Sequence, residues 1–192
     1  LNAFWASNKK LEKLIINFND LKNTTNNLDP SKGKLLLFMH TPNLDFVVRA
    51  ASLFMPVSGM ARPQSNKIVD NLFKASRKKF TERIFDPKEI LELLNYLKIG
   101  KTCLYAPDQD YGYKNSIFVN FFGHKALTVK FPYIAKRRAK CDVYIFSLEK
   151  KGFKYEANLE KILLDGTDMD KDLRQINYKI EEIISVSYTH LT

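Results

Sequence analysis

The stretch Lys34-Leu-Leu-Leu-Phe-Met-His-Thr-Pro-Asn-Leu-Asp45 decides the fold. Lys34 to Met39 is a short apolar run with no polar alternation, which reads as a buried strand. Thr41 reads as an N-cap and Pro42 as a first helical residue, where its missing N–H costs nothing. The unit is therefore strand, turn, helix. It sets His40 at the carboxyl end of a strand and Asp45 one turn into a helix. A carboxylate there would hold the imidazole in one tautomer and stabilise it once protonated, and such a pair can take a proton from a hydroxyl near neutral pH. A His and an Asp four residues apart also occur by chance. The plainer alternative is a strand-end His bonded to a loop.

Working outward, the same alternation continues. Residues 7 to 22 carry Leu11, Leu14, Ile15, Phe18 and Leu21 at helical spacing. Asn43 to Phe54 reads as a helix, Pro56 to Ala61 as a short strand, and Asn66 to Lys79 as a helix with Ile68, Val69, Leu72 and Phe73 inward. Arg83 to Phe85 is a short strand. Asp86-Pro-Lys-Glu89 is a capping box with Pro at the first helical position, and the helix it opens stops at Gly100. Thr102 to Ala106 is a second buried strand. Pro107 to Gly123 is a long loop rich in Asp, Tyr, Gly and Asn, of the kind that carries function. Ala126 to Ala139 is a helix that Pro132 either kinks or delays. Asp142 to Leu148 and Phe153 to Leu159 form a hairpin across Glu149-Lys-Lys-Gly152. Asp168 to Ile184 is a closing helix. Strands alternating with helices predict an α/β fold, a mixed central sheet with helices on both faces and the site at the strands' carboxyl ends.

Several side chains emerge at those ends. Arg62 follows a short apolar run, where a guanidinium can clamp a phosphate through two hydrogen bonds or face a developing oxyanion. Asn66 sits where it can cap the next helix. Asp108, Gln109 and Asp110 follow the second buried strand; turn chemistry is their plainer explanation. Phe118, Phe121 and Phe122 line an apolar tunnel or belong to the core. Arg77-Lys-Lys79 and Lys136-Arg-Arg138 end helices, where cations favour the dipole.

The 192 residues fit one domain, and a hydrophobic content of 45% marks a folded protein. No apolar run approaches the ~18 residues that span a bilayer. Cys103 and Cys141 sit in apolar runs and imply no disulfide framework. With His40, His124 and His190 they show no ligand spacing, so no metal or cofactor is implied. The net charge of +10 suits an anionic membrane, an acidic protein or nucleic acid, but no nucleic-acid motif is present.

Leu104-Tyr-Ala-Pro-Asp-Gln-Asp-Tyr-Gly112, Phe121-Phe-Gly123 with Thr128, Arg62-Pro63 with Asn66, and His40-x4-Asp45 occur here together. In that combination the chain resembles the bacterial lipid A late acyltransferases, the lauroyl and myristoyl transferases of the lysophospholipid acyltransferase superfamily, over roughly residues 10 to 184. The Ala-Pro-Asp-Gln-Asp-Tyr-Gly block is the specific element; His-x4-Asp is shared with glycerolipid acyltransferases, whose fold is expected here. The resemblance implies transfer of an acyl chain from acyl carrier protein to a hydroxyl of a lipid A precursor. It assigns His40 and Asp45 as the general-base pair, with no covalent acyl-enzyme, and Arg62, Asn66, Asp108, Gln109, Asp110 and Thr128 as substrate-binding. It implies the cytoplasmic face of the inner membrane as the location. It also implies an anchor ahead of Leu1 and a further C-terminal segment, so residues 1–184 read as one acyltransferase domain and 185–192 as a foreign tail. The alternatives are a glycerolipid or lysophospholipid acyltransferase, and a non-catalytic basic module that binds membrane or nucleic acid.

Overall fold

All four side chains of β1 (Lys34–Leu37) are buried, and strand alternation sends the leucines to two different cores. Leu35 and Leu37 face one layer; Leu36 and the following Phe38 face the other. The neighbours repeat the arrangement. Cys103 and Tyr105 oppose Leu104 in β4 (Thr102–Tyr105), and Val143 and Ile145 oppose Tyr144 and Phe146 in β7 (Asp142–Lys151). A strand covered on both sides has no polar face, which is why these runs lack alternation in the sequence. The computed structural model describes residues 6–42, 44–63, 65–109 and 111–189, without the side chains of 69, 73 and 186–189.

With β2 (Ser58–Met60), β3 (Ile84–Phe85) and β8 (Lys154–Ile162), these strands form a six-stranded sheet of order β3-β2-β4-β1-β7-β8. All neighbours are parallel except β8, which returns antiparallel from β7. Helices α1 (Asn8–Glu12), α2 (Phe18–Asn26) and α3 (Leu44–Phe54) cover one face. Helices α5 (Ile90–Lys98), α6 (Phe131–Ala139) and α7 (Met169–Thr189) cover the other, together with a hairpin of β5 (Ser116–Phe121) and β6 (His124–Val129). This is the mixed α/β sheet with helices on both faces that the sequence predicts. The Asp86–Glu89 contacts form, the Glu89 carboxylate accepting from the Asp86 N–H at 2.6 Å and Asp86 from the Lys88 N–H at 2.9 Å, but they close a turn: Pro87 is not helical, and α5 starts later, at Ile90 with Glu89 as its N-cap. The packing of α5 is close enough that a Cβ on Gly33 would lie 2.0 Å from the Leu97 carbonyl oxygen.

The structure departs from the sequence pattern in four further places. The helix expected over residues 7 to 22 is broken in two, because the intervening segment pairs with β8. Ile16 N–H donates to the Tyr155 carbonyl and Tyr155 N–H to the Leu14 carbonyl, both at 2.8 Å. Asn17 continues the ladder with its side chain, donating to the Ala157 carbonyl at 2.8 Å and accepting from the Ala157 N–H at 3.0 Å. The long loop after Pro107 contains β5, and Ala126 to Val129 is strand, not helix; Pro132 marks the later start of α6. In α4 (Lys67–Arg77) the side chains of Ile68 and Leu72, expected inward, are 80% and 61% exposed. The closing helix runs on to Thr189, into the stretch read as a foreign tail. No described helix is long and apolar enough to cross a membrane.

Candidate active site

β1 and β4 run side by side, so the chains that leave their carboxyl ends meet. The first carries His40, the second Asp108. The Asp108 carboxylate clamps the first loop with both oxygens: Oδ2 accepts the His40 backbone N–H and Oδ1 meets the imidazole Nδ1, each at 2.7 Å. With Nδ1–H donated to a carboxylate, Nε2 carries the lone pair. The Gln109 amide nitrogen lies 3.2 Å from it and serves as its donor. His40 is partly exposed, as a group that must meet a substrate proton has to be. The turn into α3 is closed by the backbone, Leu44 N–H to the Thr41 carbonyl at 2.9 Å.

Around His40 opens a cleft of about 430 Å³, within the size range of ligand pockets. Its apolar wall includes Phe38, Leu44, Val48 and Met60; its polar wall includes Arg62, Arg77, Gln109 and Tyr111. The Arg62 guanidinium lies over the Tyr111 ring, 5.1 Å from its centre. Burial pushes the Tyr111 phenol up, against the pull of Arg62, so it remains a neutral donor at physiological pH.

Asp45 differs from its expected place. It forms no hydrogen bond to His40; on the first turn of α3 it acts on Arg77 across the cleft wall. Burial, the larger effect, pushes its carboxyl above the ordinary value, and Arg77 opposes this. A folded state that holds a proton more tightly than the unfolded chain loses stability as pH rises above the ordinary carboxylate range. Asp45→Asn is therefore expected to melt roughly 1–3 °C higher than the parent at pH 7, with the gap closing toward pH 4 in parallel thermal scans.

The remaining candidates divide. Arg62 and Gln109 line the cleft and Asp108 backs it. Asn66 is exposed and caps α4, its Oδ1 accepting from the Ile68 N–H at 2.9 Å; it does not line the cleft. Thr128 is buried beneath α7, where its hydroxyl accepts from the Asn177 amide at 2.9 Å, and it too lies outside the cleft. Asp110 lies outside the described residues. Phe118 and Phe122 are half-exposed on the β5–β6 hairpin and line no tunnel; the Phe122 N–H donates to Glu181 on α7 at 2.7 Å. The two basic helix ends lie apart. Arg77 lines the cleft, whereas Lys136 sits with Asp142 and Lys161 at the amino edge of the sheet. Arg77 and Tyr111 are the site residues that sequence reasoning missed. Arg77 looks like any cation at a helix end, and Tyr111 like one more loop aromatic.

Comparison with known proteins bears on the family of the chain. The sequence profile of the bacterial lipid A biosynthesis acyltransferases matches residues 2–188. The chain is similar to a lipid A biosynthesis acyltransferase of Haemophilus influenzae, 34% identical over 90 residues, or 47% of this chain and 29% of the relative. A lipid A biosynthesis lauroyltransferase of Escherichia coli is 33% identical over 91 residues (47% and 30%). A lipid A biosynthesis palmitoleoyltransferase of the same organism is 24% identical over 122 residues (63% and 40%). The matched segments thus span less than half the length of these relatives. Matched along nearly its whole length by that profile, the chain belongs to the bacterial lipid A biosynthesis acyltransferase family.

Proposed function

We propose that this protein transfers a fatty acyl chain from an acyl carrier protein thioester to a hydroxyl of a lipid A precursor, at the cytoplasmic face of the inner membrane. The observation that carries the reading is the Asp108–His40 contact at 2.7 Å in a cleft that also holds two guanidinium groups. Nε2 of His40 removes the hydroxyl proton as the oxygen attacks the thioester carbonyl. The Gln109 amide leaves Nε2 as the hydroxyl arrives. Arg62 and neighbouring N–H donors stabilise the tetrahedral oxyanion. Its collapse breaks the carbon–sulfur bond, and the imidazolium returns the proton to the leaving thiolate. No covalent acyl-enzyme is required.

Arg62 and Arg77 suit an acceptor that carries phosphate, as a phosphorylated glycolipid does. Asp45 interacts electrostatically with Arg77 and so bears on acceptor binding, while Asp108 acts on the base. The test is transfer from an acyl carrier donor to a phosphorylated lipid A precursor, compared with its dephosphorylated form and with a lysophospholipid. Removing either guanidinium, Arg62→Ala or Arg77→Ala, should raise KM for the phosphorylated acceptor roughly tenfold or more, the value of a charged hydrogen bond, and Arg62→Ala should lower kcat as well, since that side chain also faces the oxyanion. Dephosphorylation should erase most of that difference. Efficient transfer to the lysophospholipid and none to the lipid A precursor would move the protein to the glycerolipid class.

A further inference from the structure

Helix α4 turns two large apolar side chains to solvent. Ile68 is 80% exposed and Leu72 61% exposed, and Ala75 is exposed as well. Steps of four and three residues place all three on one stripe of the helix. Lys67, Lys74 and Lys78 run along one flank of that stripe, and Lys74 pairs with Asp70 at 2.7 Å. Of the helix's described side chains only Ser76 is buried. An apolar stripe bordered by lysines that reach outward is the pattern of a helix lying in a membrane interface.

A second contact stands at the other end of the same sheet edge. β7 pairs with β1 only as far as Ile145; its last six residues, about 20 Å at strand rise, pair with β8 alone, and β8 in turn is held on its outer side by Leu14, Ile16 and Asn17 at Tyr155 and Ala157. At its turn Phe153 is 98% exposed, and residues 150–154 hold Lys150, Lys151 and Lys154 with no acid among them. Because β7 is parallel to β1, this tip projects past the edge from which His40 emerges. α4 also begins at that edge, after the loop leaving β2. The sheet order sets the two about four strand spacings apart, close to 20 Å, with His40 between them.

We infer that this carboxyl edge docks on an anionic bilayer surface, with the Ile68–Leu72 stripe and Phe153 as two interfacial contacts on either side of the cleft mouth. The lysines beside each contact supply the charge complementarity. Two apolar contacts this far apart on one edge, each with lysines beside it, suit an extended anionic surface. The inference deepens the membrane reading above, and its test needs no turnover, so loss of one leaves the other standing.

The 192-residue chain should co-sediment with phosphatidylcholine vesicles containing phosphatidylglycerol. Binding should weaken with salt and be much lower for pure phosphatidylcholine. The pair Ile68→Asp with Leu72→Asp should lower the partition coefficient about tenfold or more, and Phe153→Ser should lower it further, with an unchanged melting temperature. Leu72→Cys carrying an environment-sensitive fluorophore gives a second readout, since both native cysteines are buried; its emission should shift to the blue on anionic vesicles. Wild-type vesicle binding by the aspartate pair, or a fluorophore that reports water throughout, overturns the inference. So does an aspartate pair that binds vesicles normally but loses affinity for acyl carrier protein, which would assign the stripe to the donor.

Discussion

His40→Ala is expected to abolish acyl transfer while leaving the fold intact. General-base catalysis contributes roughly 10²–10⁴-fold, and no other group among the described cleft residues stands ready to replace it. The Gln109 amide donates to Nε2 and cannot accept a proton there. The side chain is partly exposed at the end of β1, outside both cores, so its removal leaves no buried cavity. Thermal melting should coincide with that of the parent. A His40→Ala protein that kept near-normal turnover would rule out the mechanism.

The second large effect falls on Asp108. Its two oxygens both accept hydrogen bonds, one from the His40 backbone N–H and one from Nδ1–H. An asparagine in its place, isosteric but with one acceptor and one donor, cannot satisfy both. If its carbonyl keeps the backbone N–H, its NH₂ faces Nδ1 and forces the proton onto Nε2, where it blocks the base. If it keeps Nδ1–H, the NH₂ opposes the backbone N–H and the loop shifts. Asp108→Asn should therefore lower kcat by about 10²-fold or more, with KM for either substrate little changed. Nitrogen NMR of the imidazole should show the tautomer inverted or mixed. Asp45→Asn should leave the tautomer as it is and act on KM through Arg77. A reversed result, with the tautomer following Asp45, would return the orienting role to the residue five positions after the histidine.

That contrast shows how far the chain can be read without coordinates. Strands buried on both faces announce themselves, since Leu35 to Leu37 and Cys103 to Tyr105 have only apolar neighbours to meet. The hydrogen bonds between Asp86 and Glu89 are local chemistry and form where their residues stand, although they close a turn and α5 starts only at Ile90. Pairings between distant segments are invisible to periodicity. Nothing in the spacing of Leu11 to Leu21 reveals that Tyr155 and Ala157 will claim Leu14, Ile16 and Asn17. Local pattern puts Asp108 at the right end of the right strand, but which loop it clamps depends on β1 and β4 being neighbours. Asp45, nearer in sequence, is the natural choice of partner, yet on the first turn of α3 it makes no hydrogen bond to His40 and its electrostatic neighbour is Arg77. Ile68 and Leu72 mislead because helical spacing reports an apolar face and not the medium that face meets.

The interruption between α1 and α2 has a consequence for solution behaviour. β8 is an outer strand nine residues long, and an uncovered outer strand offers a row of amide groups to any second chain. Ile16 satisfies that row through its main chain, while Asn17 imitates a strand residue with its side-chain amide and then lets the chain turn away. The opposite margin is protected differently, since β3 is only two residues long. The interrupted segment is thus a built-in stopper against self-association. Trimming the chain beyond Asn17 would leave the Tyr155 and Ala157 amides exposed, and the product would meet its own copies edge to edge, a hazard of polymerisation more than of unfolding.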